Sequence, residues 1–291
     1  MVEDVIRARR FEVVDAKGNP RVVLTAEEDT SNLTLVNRAG KEVAKLIVDE
    51  DDSPVLALFN QGGRHRVSLV ASEDSSAIAF GNSDGQTVVQ LGVAEDGTSL
   101  FKLLDQQGKE RVTIGVTTDS SLFIINNQTG EQQVSIGVVP EGSSVFLRDH
   151  MGQQRVTVAA GEEFSGLSLV NNDGQTVAML HSSEDGSPLL TLRDQTGEQR
   201  VTLEASVDGS GFGLVNSDGQ NAATLAVRED GSVLLILSNQ TSQNELVLHS
   251  GEETSGLWIS DSSGQPRAML GIGEGGSPIF SFLDADGNPL E

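Results

Sequence analysis

The stretch Leu189–Ser210, LLTLRDQTGEQRVTLEASVDGS, decides how the whole chain is read. It holds two short runs in which apolar and polar residues alternate, Leu190-Thr-Leu192 and Val201-Thr-Leu203-Glu-Ala205. Alternation with a period of two marks a β-strand with one apolar face. Asp194-Gln-Thr-Gly197 separates the runs, and Asp208-Gly209-Ser210 follows them. Both read as tight hairpin connections, a type I turn followed by a glycine in the left-handed region. Asn171-Asn-Asp-Gly174 reads the same way. An Asp or Asn at the head of such a turn closes it by accepting backbone N–H groups a few residues on.

The same unit recurs from end to end. An Asp or Asn three residues before a Gly falls at Asp15, Asn37, Asn60, Asn82, Asp105, Asn127, Asp149, Asn171, Asp194, Asn216, Asn239, Asp261 and Asp284. The steps are 22 or 23 residues, and the Gly is replaced only at Ser242. Thirteen copies in phase make a tandem repeat of β-hairpins. Frequent Gly and β-branched alternation both oppose helix.

Alternate units differ. One set carries Arg66-Val-Ser68, Arg111-Val-Thr113, Arg155-Val-Thr157 and Arg200-Val-Thr202; the other carries Thr87-Val-Val89, Thr176-Val-Ala178 and Pro266-Arg-Ala268. The larger period is 44–45 residues, or four strands, in six copies plus one further strand. Phe11–Val14 and Ile279–Leu283 hold the same phase at opposite ends. The expected organisation is a leader over 1–10 and a single β-repeat domain over 11–291.

All strands share one apolar face, carrying Ala178 and Leu180, Leu190 and Leu192, then Val201, Leu203 and Ala205. The opposite face varies. Arg200, Thr202 and Glu204 are polar there, whereas Val177 and Met179 are apolar. Of every four strands, two are therefore expected to be buried on both faces and two on one. The fold class is all-β: a hairpin repeat forming an elongated, solenoid-like array. The alternative is a six-bladed β-propeller with four strands per blade, which the integral number of copies favours. The uniform turns favour the array, because a blade needs a crossing link from its outer to its inner strand. The Trp-Asp blade signature, the leucine-rich consensus and the glycine-rich calcium nonapeptide are absent.

A net charge of −24 and a pI near 4.3 exclude nucleic acid and anionic membranes as partners, since phosphates would be repelled. The acidity fits an extracellular or cell-surface setting. There is no Cys, hence no disulfide, thiolate ligand or thiol nucleophile. No apolar run approaches ~18 residues, so no membrane insertion is expected. The opening MVEDVIRARRF lacks the apolar core of a signal peptide.

Candidate chemistry is sparse. Glu95-Asp96-Gly97, Glu184-Asp185-Gly186 and Glu229-Asp230-Gly231 cluster carboxylates in turns, which makes Asp96, Asp185 and Asp230 the candidate Ca2+ ligands. The plainer reading is that each Asp shapes its own turn. No other cofactor is implied. The arginine column Arg21, Arg66, Arg111, Arg155 and Arg200 reads as an anion stripe or as pairing across strands with a Glu or Asp of its own polar face, with Glu110, Glu198 and Glu204 as neighbours. His65, His150, His181 and His249 share no repeat phase. No catalytic constellation appears, and an enzyme is not expected. The expectation is a non-catalytic scaffold that self-assembles into rings or filaments through end-to-end strand pairing. Phe11, Val13, Ile279, Phe280 and Phe282 on the end strands are the candidate interface, with Val177 and Met179 as a lateral one. A homo-oligomer follows. The alternative is a propeller module that binds a ligand, a protein or a glycan.

Overall fold

The computed structural model describes residues 5–162, 164–182, 185–239 and 245–290. Ser242, Glu184 and most of the sequence Asn239-Gln-Thr241 lie outside these residues. The described residues form 25 strands and no α-helix, with a single 3-10 turn at Glu274–Gly276. Contacts divide the chain into two compact units, 1–140 and 141–291. The first unit runs from the strand Arg10–Val14 to Gln132–Val139, and the second from Gly142–Arg148 to Pro278–Phe282.

Within each unit every strand pairs antiparallel with its neighbours in sequence. Pairing never pauses after four strands. Glu42–Val48 pairs with Pro54–Phe59, Thr87–Ala94 with Ser99–Leu104, and Thr176–Ser182 with Pro188–Arg193. A propeller would break its ladder at each blade, so the six-bladed alternative is not the fold. The open hairpin array is.

The Asp/Asn–Gly turns have the expected geometry. At Asn171 the amide N–H donates to the Gln175 carbonyl (2.9 Å), and the Gly174 N–H donates to the Asn171 carbonyl (3.2 Å). The Asn171 side-chain oxygen accepts the N–H groups of Asp173 and Gln175, each at 2.9 Å. Gly174 sits at φ 81°, where a side chain is strained. A bulge between Leu169 and Val170 absorbs the odd residue of the turn. Asp208-Gly209 is different from the expectation. Ser206 pairs with Gly209, so the connection is the two-residue loop Val207-Asp208 and Gly209 is a strand residue. Gly209 is required for another reason, because a Cβ there would overlap the Val227 carbonyl oxygen.

Register places the shared apolar face in two continuous rows. In the first unit one row runs Phe11, Leu24, Leu33, Leu46, Leu56, Leu69, Ile78, Leu91, Phe101, Ile114, Phe123 and Ile136. Two residues away along each strand, the second row runs from Val13 and Val22 to Ile125 and Val134. In the second unit the equivalent rows run from Val145 and Leu147 to Phe280 and Phe282. Neither row contains a charged residue in either unit.

Within each unit the described strands form a single layer. The chain exposes 19263 Å², where a compact protein of 30.7 kDa exposes about 12,000 Å². The expected double-sided burial of alternate strands is therefore not found. Among the described residues only Val23 and Ala57 are buried apolar side chains, and both lie on the face opposite the apolar rows. A sheet sandwiched by its own chain would need a second layer, and the short connections leave no segment to supply one.

Candidate functional site

The feature that the fold leaves unfinished is the apolar face. Large side chains line it and stand open: Leu46 is 48% exposed, Leu180 49% and Leu203 48%. A hollow at its N-terminal end is lined by Ile6, Phe11, Leu24, Leu33 and Leu46. Side-chain size is patterned. Along most of the second row large residues alternate with small ones from strand to strand, until Leu237, Leu246 and Ile259 follow one another near the C-terminal end. The sequence in the first unit is Leu35, Ala44, Leu58, Val67, Phe80, Val89. In the second unit it is Leu169, Ala178, Leu192, Val201, Leu214, Ala223, Leu237. The large members Leu35, Leu58, Leu169, Leu192 and Leu214 are exposed, while Ala44, Val67, Ala178, Val201 and Ala223 are half-buried between them. This row is a set of ridges and hollows with a period of two strands, whereas the other row of the first unit carries Leu, Ile or Phe on every strand.

The sequence-derived interface residues divide between the two faces. Phe11 and Val13 lie in the two apolar rows, 50% and 48% exposed. Phe280 and Phe282 end the rows of the second unit, 74% and 51% exposed, with ring centroids 5.2 Å apart in an edge-to-face contact. Ile279 lies on the opposite face beside Gly271, as does Met179 between Ser168 and Thr191, and Val177 shares that parity. The end strand Arg10–Val14 pairs only with Pro20–Ala26 among the described strands. At the other end the chain turns at Asp284–Gly287, and the Leu290 N–H donates to the Phe282 carbonyl at 2.8 Å.

The arginine column follows the pairing reading, with Asp rather than Glu as the partner. The residues sit on the face opposite the apolar rows, near the edge that carries the Asp/Asn–Gly turns. Arg200 Nε donates to Asp194 at 2.7 Å, and a second guanidinium nitrogen lies 2.5 Å from the same carboxylate. Its third nitrogen donates to the Asn216 carbonyl, the next turn on that edge. Arg21, Arg111 and Arg155 bridge Asp15, Asp105 and Asp149 to the carbonyls of Asn37, Asn127 and Asn171 in the same way. Pairing is thus with the turn Asp six residues back, not with Glu110, Glu198 or Glu204 across the strands. Lys102 is the partner of Glu110, at 2.5 Å. Arg267 repeats the bridge with Asp261 and the Asp284 carbonyl, although it stands in the other set of units. Arg66 follows an Asn turn and donates instead to the Gly81 carbonyl at 2.8 Å. The signal was present in the sequence: an Asp heads the turn where an Arg follows six residues later.

These carboxylates are held ionised. Asp15 is lowered to about 2, first by the Asn19 backbone N–H, with Lys17 and Arg21 adding to it. Asp194 is held well below the usual range by the Thr196 hydroxyl and then by Arg200. Asp261 is lowered by the Ser263 hydroxyl and backbone N–H and by Arg267. The Ca2+ candidates are engaged in their own turns. Asp96 accepts the Thr98 N–H at 2.8 Å, Asp185 the Ser187 N–H at 2.9 Å, and Asp230 the Ser232 N–H at 2.8 Å. Among the described residues no three His, Asp or Glu side chains gather where they could share an ion. The histidines are likewise dispersed. His181 stacks on Phe164, His249 leans on Trp258, and His65 meets the edge of Phe59.

No protein-family model and no curated protein matches the sequence. Among solved structures, the crystal structure of TcdB2-TccC3 aligns at 8% identity and a TM-score of 0.20. The alignment covers 95% of this chain and 20% of that one. The TcdB2-TccC3-Cdc42 crystal structure aligns at 9% identity and a TM-score of 0.20, over 95% of this chain and 20% of that one. This chain spans about a fifth of the length of both, and likeness at that level carries no argument about it. No described helix is long and apolar enough to cross a membrane.

Proposed function

We propose that the protein is a non-catalytic structural scaffold built to self-associate. The observation that carries this reading is an apolar face, repeated without interruption through both units, that the chain itself does not cover. An exposed apolar surface of this extent is normally a contact surface. Repetition supports a structural role. A catalytic site would stand out as a local departure from the repeat, and the described departures, such as Phe164 and Pro140, bring no reactive groups together. On the opposite face the column arginines Arg21, Arg111, Arg155 and Arg200 are engaged with turn carboxylates of the same chain. The end strands supply a further route to assembly, since unpaired strand edges invite pairing with another copy.

The native mass of the full chain, measured by light scattering over a wide concentration range, tests the reading. A dimer or higher species is expected. A strict monomer at high concentration would overturn it.

A further inference from the structure

The alternation of large and small residues along the second apolar row points to what covers the face. A surface whose ridges repeat every second strand presents hollows with the same spacing, about 9.6 Å. Its best-fitting partner is another surface with that corrugation, displaced by one strand. A second copy of this chain has it by construction. We propose that two copies pack face to face through these rows, the ridges of one copy, such as Leu58 and Leu192, lying in hollows of the other, such as Ala44 and Ala178.

This proposal rests on the self-association reading and names its surface. Three observations carry it. First, the size pattern recurs in both units, and the ridge residues are the exposed ones. Uniform burial of a face against lipid would need no such alternation, whereas interdigitated packing does. Second, the area suffices. Rows about 50 Å long and about 12 Å wide in a single unit give two copies roughly 1,200 Å² of buried surface, the lower bound of specific, stable interfaces. Third, the rows carry no charge in a chain of net charge −24, so like-charge repulsion is confined to the turns and the opposite face. End-strand pairing is the weaker route, because the Leu290 N–H already occupies the Phe282 carbonyl on the outer side of the last strand.

The chain has no Cys, so single thiols report cleanly on each face. Leu192→Cys and Glu204→Cys both stand on exposed positions of an isolated chain, on opposite faces. In the full-length protein at micromolar concentration, a soluble maleimide is expected to label Glu204→Cys quickly and Leu192→Cys at least ~10-fold more slowly, as a shielded interface position. Equal labelling overturns the proposal. Shielding of Leu192→Cys only after phosphatidylcholine vesicles are added overturns it too, in favour of a lipid surface.

A second pair of variants separates this proposal from the broader one. Ala178→Leu with Ala223→Leu fills two hollows that are open in the single chain, so folding is not burdened. Dimerisation is expected to weaken about tenfold or more, by overpacking. If the wild type assembles but its mass ignores these changes and falls with Glu12→Pro instead, face-to-face packing fails and self-association through the end strands stands. If the wild type is a strict monomer, both fail.

Discussion

The two faces of the sheet are built from the same strands and meet opposite ends. On one, the arginines are held within the chain by turn Asp carboxylates and backbone carbonyls. Arg200 alone joins its own turn to the next through Asp194 and the Asn216 carbonyl. On the other, Leu46, Leu180 and Leu203 repeat with nothing above them. A polar group can be satisfied by one neighbour at hydrogen-bond distance, and a single layer provides that neighbour. An apolar group is satisfied only by being covered, and a single layer cannot cover itself. The contrast explains why the varied face is the self-sufficient one.

The comparison is broken most directly by moving a charge between faces. Leu192→Asp and Leu58→Asp place a carboxylate in the apolar rows, and sedimentation is expected to show loss of assembly. Thr224→Asp, on the opposite face, is expected to leave the mass unchanged. If the two faces respond alike, they are not functionally distinct.

A somewhat smaller effect is expected at the glycines that let strands approach. Gly209→Val forces a Cβ into the Val227 carbonyl, and thermal melting should show a loss of about 2 kcal/mol or more. Gly174→Ala meets open space and only strains the backbone at φ 81°. About 1–2 kcal/mol is expected there.

The Asp–Arg bridges should be felt through pH. Asp15 titrates near 2 in the folded chain against an ordinary 3.8, and Asp194 and Asp261 are also lowered. A carboxylate lowered on folding favours the folded form above its unfolded value, and that benefit disappears as pH falls through the folded one. The melting temperature should therefore hold above pH 4 and fall between pH 4 and pH 2. Asp194→Asn should lower it most at pH 7 and by clearly less at pH 2. An equal deficit at both pH values would show that the bridge does not depend on charge. The smallest expected effect is that of salt. Raising ionic strength should tighten assembly modestly by screening copies of net charge −24.

Much of this was legible in the chain itself. The turn glycines, the 22–23-residue hairpin step and the parity of Leu190, Leu192, Val201 and Leu203 all appear in the structure as read. Those features depend on residues close in sequence. Asp194 with Arg200 was legible too, as a spacing of six. It was missed because cross-strand acids such as Glu204 offered a plausible partner. Asp208-Gly209 misled because Asp-Gly reads as a turn, while the pairing of Ser206 with Gly209 depends on how the neighbouring strand Asn221–Arg228 lies.

The sequence by itself determined an all-β hairpin array with one apolar face, because backbone alternation and turn chemistry are local. Only the tertiary structure decided that the face is open. Whether a strand is covered depends on where distant strands go, and within each unit the described strands pack against their neighbours in the ladder. That same arrangement turned Ala44, Val67, Ala178 and Ala223 from unremarkable small residues into hollows between exposed leucines, since only the cross-strand register sets a small residue beside a large one.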